Sequence, residues 1–399
     1  MSGNDELLKN LIRVPGAAPP RSKRGAPVRY RVLTLVLTQV TVAVILAALY
    51  LARRPSELEP FRFFVYYMPR AIYALPFLIL VPMTLWTRQR WLLAECLLGA
   101  VLVFGPLMGF VPNPPWQTPD RSKYTDDQIF RFMTFNIGTS EKFQVDELAE
   151  YLKDQKIDIL LIQEDAQLSR FCNKMTEIGW HGNKHATIFS RWPILANSPD
   201  LPHEVGGDHL YQAEVQFVRV RRGDHEFLIG SAHAPSVRAN FYSFLHQFDE
   251  ENLRKVMDWQ TRQIERVALS MDGSGSLPVV LGGDFNTPPR SPHVRPLEKR
   301  FLDVFAAIGF GYGYTYPADT PWLRLDRFYV SRGWVPLKCE VAPRFESDHR
   351  PFYVELALES TRPDDKTAKA HSFAEPLGNP TVLGNPTVNA TSATHSPPR

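Results

Sequence analysis

Eight polar residues between positions 136 and 349 stand where apolar, strand-like runs meet turns. They are Asn136 in "MTFNIG", Glu164 in "LLIQE", His233 in "GSAHAP", Asp284 and Asn286 in "LGGDFN", Asp326 in "RLDRFYVS", and Asp348 and His349 in "ESDHRPF". One acid closing a buried strand is ordinary, and "GGDFN" taken alone reads as an Asx-type turn. Six such runs are harder to explain by stability, because a buried carboxylate is costly unless it is paired or metal-bound. The donor set is oxygen-rich and lacks a Cys/His cluster, which suits Mg²⁺ or Mn²⁺ better than Zn²⁺. Two histidines and the remaining acids suit acid–base and charge-stabilising work around a phosphate.

The elements that must carry these residues follow from periodicity. "IFRFMTFNIG" alternates as a strand, and "IDILLIQE" reads as a buried strand ending in an acid. "HATIFSRWPI", "YQAEVQFVRV" and "HEFLIGSAHAP" are further strands separated by turn signals, and "SLPVVLGGDFN", "RLDRFYVS" and "PFYVELAL" complete the set. Residues 141–155 place Val145, Leu148 and Leu152 on one helical face. Residues 249–271 carry Leu253, Val256, Ile264, Val267 and Met271 at helical spacing, interrupted by Gln260. Strands with interspersed helices in one domain predict an α/β sandwich of two sheets with helices outside. Opposed sheet edges then gather the strand ends at one rim. "GFGYGYTY", 309–316, lacks a P-loop Lys-Ser/Thr and reads as a loop.

With these motifs in order, the chain resembles the endonuclease/exonuclease/phosphatase superfamily, the deoxyribonuclease-I-like fold, over roughly residues 129–358. "GGDFN", "SDHRP" and "IFSRWPI" carry the resemblance. It implies a phosphoester hydrolase that uses a metal-activated water, of phosphodiesterase, nuclease or phosphatase type, with Mg²⁺ or Mn²⁺ as cofactor. Glu164 is then the principal metal carboxylate, with Asn136 and Asp348 as ligands or ligand-orienting groups. Asp284 positions or deprotonates the attacking water, Asn286 bonds the phosphate, and His233 donates to the phosphate or leaving oxygen. His349, held by Asp326, serves as base or as a cation facing the developing charge. The alternative is a non-catalytic membrane interaction protein with a retained hydrolase fold, in which some of these positions should have been lost.

The rest of the 399-residue chain reads differently. Residues 1–31 form a basic tail with seven Lys and Arg, and 32–52 is a run of 21 residues without a charge, long enough to span a bilayer. Two more apolar runs follow at 71–87 and 91–111. Tyr66, Tyr67 and Trp86 flank the second, and Glu95 near the start of the third reads as an interface residue. The expectation is an integral, multi-pass membrane region over 32–111 with about three helices. The Lys/Arg bias keeps the N-terminus cytoplasmic and puts the catalytic domain on the periplasmic or extracellular side. Residues 112–128 read as a Pro-rich linker, and 361–399, with "LGNPTV" twice, as a disordered tail. Residues 121–360 hold 28 basic and 33 acidic side chains, which lacks the broad basic footprint of a nonspecific DNA binder. Nucleic acid, phospholipid and sugar phosphate all stay open as substrates. Cys172 and Cys339 could pair in an oxidising compartment or remain buried thiols.

Overall fold

The structure, a computed structural model, describes residues 26–53, 59–138, 143–164, 168–183, 187–197, 214–236, 249–272 and 277–359. The basic cluster at 9–24 and the repeated tail lie outside the described residues. Helices α1 (Val28–Leu51), α2 (Glu59–Tyr67), α3 (Phe77–Trp86) and α4 (Trp91–Leu102) come first. The remainder runs β1 (Ile129–Asn136), α5 (Val145–Asp154), β2 (Ile159–Gln163), α6 (Leu168–Glu177), β3 (His181–Gly182), β4 (Ile188–Ser190), β5 (Ile194–Asn197), β6 (Glu214–Arg222), β7 (His225–His233), α7 (Glu250–Asp272), β8 (Val279–Asp284), β9 (Leu302–Asp303), β10 (Asp326–Val330), β11 (Trp334–Val341) and β12 (Phe352–Leu358).

Twelve strands form two mixed six-stranded sheets, ordered β11-β12-β1-β2-β4-β3 and β9-β10-β8-β7-β6-β5. Each sheet has one parallel pair at its centre, β1 with β2 and β7 with β8, and antiparallel strands outside it. A parallel pair needs a crossover, and α5 and α7 supply the two. In α5, Asp146 and Glu147 lie in the first turn and Lys153 in the last, matching the helix dipole, while Val145, Leu148 and Leu152 are buried.

Strand alternation divides the core. Phe130, Phe132, Ile159, Leu161, Phe227, Ile229, Val280, Phe328 and Val330 fill the space between the sheets. Met133, Phe135, Leu160 and Ile162 face α5 and α6, and Leu228, Val279 and Leu281 face α7. The inward rows then turn polar at one end: Phe130–Phe132–Thr134–Asn136, Ile159–Leu161–Gln163, Phe227–Ile229–Ser231–His233 and Val280–Gly282–Asp284. A two-residue period aims each last side chain into the mouth of the sandwich. Gly282 and Gly283 meet two separate needs. A Cβ on Gly282 would lie 2.3 Å from Phe328 Cε1, and Gly283, at φ +149°, would drive one to 1.9 Å from the Ala232 carbonyl oxygen.

The segment before the sandwich matches its expectation only in part. Only α1 is long and apolar enough to span a membrane among the described residues, a test that a signal sequence also passes. The second run begins as a 3-10 turn at Arg70–Ala74 and becomes α-helical only after Pro76, which has no N–H to continue the ladder. The third run ends in a π-turn, Val103–Leu107, containing Pro106. Glu95 is paired with Gln39, near the middle of α1, by a 2.6 Å hydrogen bond. The 112–128 stretch packs on the sandwich: Pro112 pairs with Phe310, Arg121 bonds Glu355 at 3.0 Å, and Tyr124 covers Ile129 and Leu337. No disulfide links the three cysteines among the described residues.

Candidate active site

The site lies at the carboxyl ends of the two central parallel pairs, where open α/β sheets place ligands. Asn136 is in register with Gln163 in one sheet, and His233 with Asp284 in the other. Asp326 opens β10 rather than closing a strand, and Asp348 and His349 precede β12. Antiparallel pairing of Asp326 with Asp284 brings them to the same rim. Four of the predicted runs therefore end at the site and two begin there.

Asp284 is fully buried. Its Oδ2 accepts from Asn136 Nδ2 at 3.0 Å, and its Oδ1 accepts from the Asn286 N–H at 2.8 Å. The second bond is the Asx turn that "GGDFN" suggests, so the turn and the site are one structure. Burial foremost, with Asp326 adding repulsion and His349 opposing it, raises the Asp284 carboxyl above its ordinary range. His349 Nδ1 lies 2.8 Å from Asp326 Oδ2, and its Nε2 3.6 Å from Asp284 Oδ2. Burial alone would lower this imidazole, but the Asp326 and Asp284 carboxylates outweigh it and raise its pKa to about 10.

Glu164 follows β2 with φ +54°, a left-handed turn that brings it back toward the rim. Its Oε1 lies 3.1 Å from His233 Nε2, and this contact holds the carboxyl down at about 2. Burial would lower His233, yet Glu164 and Asp284 keep it above its ordinary value. Asp348 is exposed beside Gly138, whose φ is +68°. Asn136 Oδ1 accepts from Gly138 N–H at 2.9 Å, so this amide orients Asp284 and the adjoining loop.

The donor set fits a hard divalent cation. Glu164, Asp348, Asn136 and Asp284 offer oxygens, and none of the thiols is near. Two buried polar atoms at the rim lack a hydrogen-bond partner of regular geometry among the described residues: Asp326 Oδ1, and His233 Nε2, which instead makes the 3.1 Å ion pair with Glu164. Asp284, Asp326 and His349 also present ligand atoms within 4.8 Å of one another, a second place for a cation.

Several supporting residues have no signature in the sequence. Ser347 Oγ donates to the Asn136 carbonyl at 2.7 Å and accepts from the His349 N–H at 3.0 Å. Thr315 Oγ1 accepts from the N–H groups of Leu325 and Asp326, both at 3.2 Å, and the Tyr316 ring lies 4.8 Å from that of His349. Both belong to "GFGYGYTY", so this loop braces the Asp326–His349 pair. Arg238, His185, His203 and His209 lie outside the described residues.

A sandwich of this topology with oxygen donors at one rim defines a metal-dependent hydrolase scaffold. The model of the endonuclease/exonuclease/phosphatase family matches residues 133–349, over half of the chain, and the chain belongs to that family. Among curated proteins none matches. Similar solved structures include D. rerio TDP2 humanized by 14 mutations, with 15% identity over 57% of this chain and 99% of that one, TM-score 0.46. A family protein from Bacteroides thetaiotaomicron has 16% identity over 58% of this chain and 98% of its own, TM-score 0.45. The human Nocturnin catalytic domain with bound sulfate has 15% identity over 62% of this chain and 99% of its own, TM-score 0.45.

Proposed function

We propose that the chain is a membrane-anchored, divalent-metal-dependent phosphoester hydrolase. The carrying observation is the chain of contacts Asp326–His349–Asp284–Asn136 across the mouth of the sandwich, with Glu164 and His233 beside it. In this reading Glu164, Asn136 and Asp348 hold Mg²⁺ or Mn²⁺. Such an ion supplies charge stabilisation at phosphoryl oxygens and lowers the pKa of a coordinated water. Asp284, its carboxyl raised by burial, positions and deprotonates the attacking water. Asn286 and His233 contact the phosphate, and His349, kept cationic by Asp326, faces the charge that develops there. A retained fold without activity is the weaker reading, because every one of these positions is filled.

The anchor is the N-terminal helical segment. Val32, Val36, Val40 and Val44 of α1 and Leu78, Ile79, Leu97 and Leu98 of α3 and α4 are exposed, which suits lipid rather than water. Tyr30 and Trp86 are 5.1 Å apart at one end of the bundle, while Arg53, Arg70 and Leu107 lie at the end facing the sandwich. Only α1 has the length of a full crossing among the described residues, and α3 and α4 belong to shorter apolar helices packed beside it. One crossing or three gives the same result: with a cytoplasmic N-terminus, the sandwich is extracytoplasmic. Substrates are then extracytoplasmic phosphoesters, with nucleic acid, phospholipid and sugar phosphate as the classes to separate.

The full chain, purified in detergent and stripped with EDTA, should hydrolyse a phosphodiester or phosphomonoester from a panel of DNA, RNA, phospholipid and sugar phosphate only after Mg²⁺ or Mn²⁺ is restored. Full activity of the stripped protein, or no hydrolysis across the panel, overturns the proposal. A reporter fused after residue 360 that is active only in the cytoplasm overturns the topology.

A further inference from the structure

Asn286 has φ +46°, a left-handed conformation that a non-glycine residue keeps only when its surroundings impose it. Its N–H is held by Asp284, and its Nδ2 donates to the Ala234 carbonyl at 2.8 Å. Its own carbonyl takes two donors from outside the strands. Gln260 Nε2 of α7 reaches it at 3.2 Å and the Pro235 carbonyl at 2.6 Å, and Tyr67 Oη reaches it at 3.0 Å. Thr287 Oγ1 donates to Gln260 Oε1 at 2.9 Å, which closes the network.

Tyr67 is the last residue of α2, which joins the first apolar helix to the others. It arrives there through packing: Phe63, with Phe64 and Tyr67 against it, clusters with Leu253, Val256 and Met257 of α7. The Tyr67 carbonyl accepts from Trp322 Nε1 at 3.1 Å, on the turn that also carries Tyr316, the ring beside His349. One residue of the N-terminal segment thus touches both the Asn286 turn and the segment bracing His349. Burial raises the Tyr67 phenol above its ordinary value, so it stays a hydrogen-bond donor.

We propose that Tyr67 is a positioning residue for the active site, its hydroxyl fixing the Asn286 turn so that hydrolysis depends on the N-terminal helical segment as well as on the sandwich. This rests on the hydrolase reading and adds to it that residues 112–360 alone form an incomplete enzyme.

The test uses the full chain in detergent with Tyr67→Phe, which removes one oxygen and keeps the ring. A misplaced contact group lowers kcat about tenfold with KM and metal requirement unchanged. Amide exchange in the peptide spanning Phe285–Thr287 should accelerate, while exchange in β10 stays as in the wild type. In an Asn286→Ala background the same substitution should leave the residual kcat unchanged, since its effect runs through Asn286. Unchanged kcat in the single variant, an equal loss in both backgrounds, or unchanged exchange at Phe285–Thr287 overturns the inference. A wild-type chain that hydrolyses nothing defeats the hydrolase reading, and the exchange data still decide whether Tyr67 holds the turn.

Discussion

Asp326→Asn removes a charge at the site while leaving its shape. The asparagine carbonyl can occupy the position of Oδ2 and accept the His349 Nδ1–H, as the carboxylate does at 2.8 Å. Its amide then takes the place of Oδ1, which has no hydrogen-bond partner among the described residues. What disappears is the attraction between the carboxylate and the imidazolium, both buried. At a charge separation of about 4 Å and an effective dielectric of about 20, that attraction is roughly 4 kcal/mol. A positioned acid–base group contributes ~10²–10⁴-fold, or roughly 3–5 kcal/mol at ~1.4 kcal/mol per decade. The lost attraction is of the same size, so Asp326→Asn should approach the defect of His349→Ala, to within about tenfold in kcat. The double variant should then be scarcely slower than His349→Ala, because residues that act as a unit are non-additive. The assay is kcat and KM for both singles and the double, each with a Mg²⁺ titration. Multiplicative losses would remove Asp326 from its role. A Mg²⁺ requirement shifted more than tenfold by Asp326→Asn would instead put the cation among Asp284, Asp326 and His349.

Glu164→Gln keeps the side-chain volume but removes the ligand charge. It should nearly abolish activity and move half-saturation by Mg²⁺ to higher concentration, and wild-type metal dependence would exclude Glu164 as a ligand. Gly282→Ala should lower stability by about 1–3 kcal/mol through overpacking against Phe328 and Leu161. Gly283→Ala should be worse, because its Cβ meets a backbone carbonyl; a denaturant midpoint equal to wild type would refute this. His293 is held down to about 4 by burial and then by Arg62. Its unfolded value is ~6.5, so the unfolded chain binds the proton first as pH falls. Stability should therefore drop between those two values, by roughly 3 kcal/mol in all. His293→Gln should flatten the unfolding curve over that window, and parallel curves for the two proteins would refute it.

The sandwich and most of its rim were legible because both depend on a local, two-residue period. Phe130–Phe132–Thr134–Asn136 and Val280–Gly282–Asp284 announce a buried face that turns polar at its end. Direction is not local in the same way. Asp326 and His349 read as strand ends, and only antiparallel pairing with β8 and β1 shows that they open strands at the same rim. The membrane segment was legible only in part, for a related reason. An uncharged run registers hydropathy but not helix length or regularity: the second and third runs fold as shorter helices, one with a 3-10 start before Pro76 and one with a π end at Pro106.

Gln260 marks where a sequence pattern carries information that it cannot interpret. Within α7 it is only a polar break in an apolar stripe. It is fully buried, bonding the Pro235 and Asn286 carbonyls and Thr287. A polar side chain on a buried helical face must find partners, so the break itself signalled a nearby group in need of a donor. The identity of that group was out of reach, because the acceptors are backbone carbonyls, which every residue has. Tyr67 is harder still: 219 residues separate it from Asn286, and its target is again a carbonyl. Motifs record side chains that touch substrate or metal. The bonds that hold a strained turn such as Asn286 end on backbone and leave no motif, so the support of this site becomes visible only once the helices of the N-terminal segment are packed against it.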